Sequence, residues 1–347
     1  MALEKSVQDF LGSYLENYSF EETLAYLERA EKFKILVVGE AIIDEYQYCE
    51  AIGKSSKEPT LVVKRNSMEK FAGGTLAVAN HVANFCNEVS LLTFLGAQQS
   101  EENFIAEKLN KSIERLFLFR KNSPTIVKRR FIEEYFFSKL LEVYEINDAA
   151  LDEEDNRELC SILKEKLPHY DMVIVVDFGH NMLSSEAINI LCREAKFLAV
   201  NVQANAGNLG YNTISNYERA DYISITENEL RLESRDRRGD LKHMVLEISQ
   251  KLNCDHISIT RGKYGCLCYS KSQGFFEIPS FASQVVDRVG AGDAFLSLTA
   301  LCVLQEAPME VVGFVGNSVG AQAVATVGHR RFIEREPLFE QIRTLLS

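Results

Sequence analysis

Between residues 33 and 260, short uninterrupted apolar runs alternate with segments whose apolar positions recur every three or four residues. The runs are FKILVVGE from Phe33, then Val89–Leu95, Met172–Asp177, Phe197–Val202, Tyr222–Thr226 and His256–Thr260. Runs of that length with no polar alternation predict strands buried on both faces, as in a parallel sheet. The intervening segments, near 74–87, 101–111, 152–166, 185–195 and 240–252, predict helices, so the fold class is α/β: a doubly wound, mostly parallel sheet flanked by helices. Two stretches, 46–70 and 115–146, break the alternation. They are rich in β-branched and aromatic residues and hold no helical spacing, which predicts strands of a small separate sheet, a lid. Upstream, Val7, Phe10, Leu11, Tyr14 and Leu15, followed by Phe20, Leu24 and Leu27, have the spacing of two short amphipathic helices. Residues 1–33 therefore read as a helical extension that covers the body, and residues 34–347 as the body itself.

Composition narrows the function classes. The chain has 347 residues, 46% hydrophobic and 25% charged, in the range of an ordinary globular protein. Lys plus Arg is 38 against 50 Asp plus Glu, a net charge of -12, which argues against nucleic acid or an anionic membrane as partner while leaving room for a local anion pocket. The longest apolar stretches fall short of the ~18 residues needed to span a bilayer. The N-terminus has no apolar signal segment, so the expected compartment is the cytoplasm. Eight cysteines without zinc-site spacing read as reduced and buried.

The most informative segment is VDRVGAGDAF at Val286–Phe295, followed by an apolar helix. Gly290, Ala291 and Gly292 permit a tight turn whose N–H groups point outward at a helix N-terminus, which makes an anion hole. Asp293 stands at its mouth, where a carboxylate would take a proton from an attacking hydroxyl. On local pattern alone the segment equally reads as an N-cap aspartate after a glycine turn. Gly53-Lys54-Ser55 is no phosphate loop, because the glycine required five residues earlier is Tyr48. Asp177-Phe178-Gly179 lacks the companion motifs of a protein kinase. Asp177 and His180 nonetheless follow a buried strand, where open α/β sheets bind ligands, and so remain substrate-side candidates.

Taken together, Gly39-Glu40 with Asp44, Gly73-Gly74 opening a helix, Thr226–Glu229, Thr260-Arg261-Gly262 and Asp287–Asp293 resemble the ribokinase/PfkB carbohydrate kinases over about residues 34–330. GEAIIDEY at the first strand, EPTLVVK in the lid and Val176–Asn181 are most similar to the kinase module of bifunctional heptose-phosphate kinase/nucleotidyltransferases. The resemblance implies an ATP- and Mg²⁺-dependent sugar kinase; the open edges of a lid sheet, which a second copy would cover, make a homodimer the expected assembly. It implies Asp293 as general base and Gly290, Ala291 and Gly292 as anion hole. On the sugar side it implies Asp44, with Gly73 and Gly74 as hinge and sugar contact. On the nucleotide side it implies Glu229 holding Mg²⁺ through water, Thr260, Gly262 and Gly265 along the nucleotide, and Asn317 near the adenine. Asp287 matches a position that in many members helps hold K⁺.

The departures bear on substrate and donor. Glu40 replaces an Asp, Thr226 replaces an Asn beside Glu229, and Arg288 and Val289 stand where two threonines are usual. His180 and Asn181, and then Asn201, Val202 and Gln203, stand where the heptose-phosphate branch carries two lysines that meet a substrate phosphate. Either the acceptor is a neutral sugar, or Lys128, Arg129 and Arg130 supply the charge; those three equally read as a solvated strand face. Rival readings are a catalytically weak nucleotide- or sugar-binding module and a nucleoside kinase of the same fold.

Overall fold

The computed structural model describes residues 4–347. The chain opens with helices α1 (Lys5–Asn17) and α2 (Phe20–Glu28). Then come β1 (Lys34–Gly39), β2 (Ala41–Lys54), β3 (Leu61–Gly74), α3 (Thr75–Ala83), β4 (Glu88–Gly96), α4 (Glu102–Lys108) and β5 (Glu114–Arg120). Two further strands, β6 (Ile126–Glu133) and β7 (Ser138–Glu145), precede α5 (Glu153–Lys166), β8 (Met172–Asp177), α6 (Ser185–Glu194) and β9 (Leu198–Val202). The remainder runs β10 (Tyr222–Thr226), α7 (Glu227–Ser234), α8 (Leu241–Lys251), β11 (His256–Thr260), β12 (Cys266–Ser270), β13 (Gly274–Ile278), α9 (Ala291–Val303), α10 (Met309–Val324) and α11 (Arg335–Leu345).

Among the described residues the strands form two sheets. The large one has nine strands in the order β13-β12-β11-β10-β9-β8-β1-β4-β5, parallel from β11 through β5. Strands β12 and β13 add an antiparallel edge that the sequence pattern did not predict. Order reverses on either side of β1, and ligands in such sheets collect beyond the carboxyl ends at that reversal. Helices α3, α9 and α10 cover one face, where α1 and α2 also pack: Val7, Leu11, Tyr14, Leu24 and Leu27 are buried there, and the Tyr14 ring stacks on Phe314 at 4.5 Å. Helices α5, α6 and α8 cover the other face.

The lid is a four-stranded sheet, β3-β2-β6-β7. Its bounds correct the sequence expectation twice. Residues 115–120, expected in the lid, belong to β5, the edge strand of the large sheet, which pairs in parallel with β4 after the α4 crossover. The lid strands β2 and β3 also reach further than 46–70, so that Asp44, Gly73 and Gly74 lie on paired lid strands and not in loops after the core. The chain passes from β1 to β2 with only Glu40 between them. All eight cysteines are free and buried, as expected, and no helix among the described residues is long and apolar enough to cross a membrane.

Candidate active site

Side chains alternate between the faces of a strand, so register decides which lid residues meet the body. Asp44 pairs with Lys128 and Tyr46 with Arg130 across β2 and β6, and Lys128 with Tyr144 and Arg130 with Glu142 across β6 and β7. This face is turned to the carboxyl ends of the large sheet. Lys128 and Arg130 are buried on it, at 4% and 8% exposure. Arg129, one residue out of phase, points to the opposite face and pairs with Glu45 and Glu145. The basic triplet is thus two cleft residues and one outer-face residue.

Asp44 accepts a charged hydrogen bond from Arg130, which also reaches Glu142 at 3.0 Å. Gly73 lies beside it: a Cβ there would stand 2.0 Å from Asp44 Oδ2, so only glycine lets β3 run this close to the carboxylate. Gly74, with φ +55°, turns the chain out of the strand to start α3. The Asp44 carboxylate also lies 3.5 Å from His329 Nε2. That nitrogen is in turn 4.0 Å from Asp293 Oδ2. His329, on the segment after α10, is therefore the bridge between the two aspartates, and sequence reasoning missed it because nothing in G-H-R-R marks it. Burial pushes its imidazole below the ordinary range, against the upward pull of Asp44.

Gly290, with φ +82°, caps α9, and Asp293 is the third residue of that helix. A Cβ on Gly290 would stand 2.2 Å from the His329 ring, so the turn and the imidazole are packed against each other. The first-turn amides of a helix have no intrahelical acceptors, which leaves this N-terminus fit to receive phosphate oxygens. Burial, with Asp44 adding to it, pushes the Asp293 carboxyl up to about 7. Asp287, at the start of the turn, accepts from Lys139 Nζ at 2.7 Å and Tyr46 Oη at 2.5 Å. Burial alone would raise its carboxyl; the hydrogen bonds from Lys139 and Tyr46 outweigh that and hold it below the usual range.

The ends of β10 and β11 and the turn into β12 are built differently. Thr226 ends β10 and caps α7, and Thr226 and Glu229 form a reciprocal capping box, with a second bond from Ala204 N to Glu229 Oε1 at 3.1 Å. Thr260 ends β11, and Gly262 and Gly265, both at positive φ, shape the turn into β12. A Cβ on Gly265 would stand 1.9 Å from the Ile278 carbonyl, and Asn317 Nδ2 donates to that carbonyl and to Pro279 O at 3.0 and 2.8 Å. These residues, far apart in sequence, form one continuous edge beyond β10–β13.

Three sequence candidates, Glu40, Asp177 and Asn201, have side chains bonded within the scaffold. Glu40 accepts from the amides of Phe178 and His180 at 2.9 Å, so it holds the end of β8 to the end of β1. Asp177 is buried, accepting from Tyr217 Oη at 2.8 Å and Asn212 Nδ2 at 3.0 Å. The Asn201 amide donates to Ser224 O across neighbouring strands, and His180 is buried at 2% exposure with Nε2 unpartnered. Gln203, half-buried, continues β9 by a backbone bond to Asp177 O. Among the described residues no group of three His, Cys, Asp or Glu side chains forms a metal cage.

An open α/β sheet with a β lid, and a glycine turn presenting an aspartate at a helix N-terminus beneath that lid, is the arrangement of a carbohydrate kinase. The chain belongs to the pfkB family of carbohydrate kinases, whose profile matches residues 32–335. Among curated relatives it is similar to the bifunctional protein HldE of Bradyrhizobium diazoefficiens, 23% identical over 300 residues, and to HldE of Shewanella baltica, 25% identical over 302 residues. These alignments cover 85% and 86% of this chain but only 60% and 61% of the relatives, so the chain spans about three fifths of their length. Among solved structures it resembles Escherichia coli phosphofructokinase-2 in complex with potassium (TM-score 0.73, 15% identity, covering 91% of this chain and 100% of the other). It also resembles Arabidopsis thaliana ribokinase with ribose and ATP (TM-score 0.63, 15% identity, 91% and 99%).

Proposed function

We propose that this kinase transfers the γ-phosphoryl group of ATP to a hydroxyl of a sugar or sugar phosphate. The observation that carries the proposal is the placing of Asp293: a carboxyl raised to about 7, at a helix N-terminus, across His329 from Asp44. A base of that strength is half ionised near neutral pH and accepts a hydroxyl proton more readily than an ordinary aspartate. Asp44, steadied by Arg130, would hold the acceptor hydroxyls. The Gly290–Gly292 amides would meet the charge that spreads over the equatorial oxygens. Oxygen donors that are few and already hydrogen-bonded fit Mg²⁺ carried on the nucleotide phosphates, with Glu229 reached through water. When bound, the ion would neutralise phosphate charge. Lid closure would exclude water from the transfer.

Lys128 favours an anionic acceptor. Its ammonium is buried against the rings of Tyr144 and Phe178, at 5.1 and 5.2 Å, without a carboxylate at ion-pair distance among the described residues. A phosphate would satisfy it where a neutral hydroxyl would do so weakly. The similarity to HldE supports a heptose phosphate as the first compound to try. The outer lid face exposes Met68, Leu141 and Val143, which a second copy would cover, so a homodimer is proposed.

The test is ADP release with ATP and Mg²⁺ across hexoses, heptoses, their phosphates and nucleosides, beside Asp293→Asn. Acceptor-dependent turnover lost in the variant supports the reading. Nucleotide binding with no turnover on any acceptor would turn it into a binding module. A gel-filtration mass of one chain would remove the dimer.

A further inference from the structure

Asp287 is nearly sealed from solvent, its side chain 1% exposed, and its two oxygens receive four donors. Oδ1 accepts from Lys139 Nζ at 2.7 Å and from Val289 N at 3.3 Å; Oδ2 accepts from Tyr46 Oη at 2.5 Å and from Gly328 N at 3.0 Å. A carboxylate offers about four lone-pair sites, so this one has none left for a metal ion. The donor set does not fit K⁺. It already contains a compact monovalent cation, the ammonium of Lys139, brought from the lid strand β7 across 148 positions of sequence.

We infer that Lys139 is a built-in monovalent cation that takes the place of K⁺ beside the anion hole, so that this kinase works without K⁺. Asp287 begins the turn that ends in Gly290–Gly292, and its bond to Val289 N shapes that turn. An uncompensated carboxylate there would repel an arriving phosphate and let the turn relax. The ammonium cancels that charge and ties the turn to β7, so the lid and the anion hole are ordered together. Lys139 is thus a positioning residue: it acts through Asp287 and the turn and does not meet the substrate.

The experiment compares the intact chain with Lys139→Ala and Lys139→Met in KCl, NaCl and choline chloride at equal ionic strength, reading both turnover and melting temperature. The turnover arm rests on the kinase reading, whereas the melting arm needs no substrate and separates a failure of this inference from a failure of that one. Expected are rates and melting temperatures of the unmodified protein that agree across the three salts, within twofold in rate. Lys139→Ala is expected to lose at least tenfold in kcat in choline, with KM for ATP changing less, and to regain most of it in KCl with a K⁺-specific rise in melting temperature. Lys139→Met, which fills the space without the charge, is expected to stay slow in every salt. Fivefold or greater stimulation of the unmodified protein by K⁺ over choline overturns the inference. So does a Lys139→Ala variant that melts and turns over alike in KCl and choline.

Discussion

The two walls of the cleft are made of different material. The lid-side wall, proposed above to receive the acceptor, is a set of polar side chains, Asp44, Lys128, Arg130 and the imidazole of His329, gathered from two lid strands and the segment after α10. The donor wall is mostly backbone: the Gly290 turn, the Thr226–Glu229 capping box, and the Gly265 turn closed by Asn317. Backbone amides at a helix start bind phosphate oxygens whatever the surrounding sequence, whereas a wall of ionised side chains is specific to the group it receives and sensitive to each member. On the reading proposed above, the backbone wall suits the phosphates of a nucleotide and the side-chain wall selects the acceptor.

Asp293, at the junction of the walls, should give the largest effect. Asp293→Asn is expected to lower kcat by roughly 10²–10⁴-fold, read as ADP release, the usual scale for a general base. A folded-state carboxyl near 7 against an unfolded value of 3.8 means the native protein holds the extra proton between those limits. Stability from this group is therefore present below about pH 4 and lost as pH rises toward 7. Asn has no such loss, so the variant should melt higher than the unmodified protein at pH 8, with the gap closing toward pH 4. The rate of the unmodified protein should fall as pH drops below about 7.

Gly73→Ala should break the acceptor wall alone. Its methyl, 2.0 Å from Asp44 Oδ2, forces the carboxylate or β3 to move. The acceptor KM is expected to rise about tenfold while KM for ATP changes little, with a loss of about 1–3 kcal/mol in chemical denaturation. An equal rise in both constants would merge the two walls into one.

Thr226→Ala is the converse probe. Losing the capping oxygen costs about 1 kcal/mol, and the freed Glu229 should raise KM for ATP a few-fold and leave the acceptor KM alone. The smallest kinetic effect belongs to Arg129→Ala on the outer lid face, whose guanidinium pairs with the buried Glu45 and the partly exposed Glu145. Its loss leaves the buried Glu45 carboxylate with Gln47 alone, so it should cost about 3 kcal/mol by urea melt, with kcat and both KM values within twofold. A larger kinetic effect would contradict the assignment of Arg129 and Arg130 to opposite faces.

Two parts of the backbone wall are visible in the sequence as local patterns, Gly290–Asp293 within four residues and Thr226–Glu229 within four, whereas the closure of the Gly265 turn by Asn317 is a contact between remote segments. The central parallel strands were legible for the same reason, each a short apolar run. What escaped was whatever depends on register or on contact between remote segments. Arg129 and Arg130 differ only in phase, which is fixed by pairing with β2 and β7. The pairing of Lys139 with Asp287 and the seat of His329 are tertiary outcomes with no local signal. Residues 114–120 have the aromatic content of a lid strand in Phe117 and Phe119, and only the crossover through α4 assigns them to the large sheet. Glu40 and Asp177 are strand-end carboxylates whose scaffold bonds, to the amides of Phe178 and His180 and to Tyr217 and Asn212, have no local signal either.

The direct passage from β1 into β2 gives the lid the mechanics of a lever hinged at Glu40. At about 3.3 Å per residue, Asp44 lies roughly 13 Å from that fulcrum and Lys54 roughly 46 Å. A swing of about 10° would carry the strand tip through some 8 Å and Asp44 through only about 2 Å. The acceptor's aspartate thus sits where the arm hardly travels, within the give of a hydrogen-bonded side chain. A fluorophore at the far end would magnify the same motion about 3.5-fold.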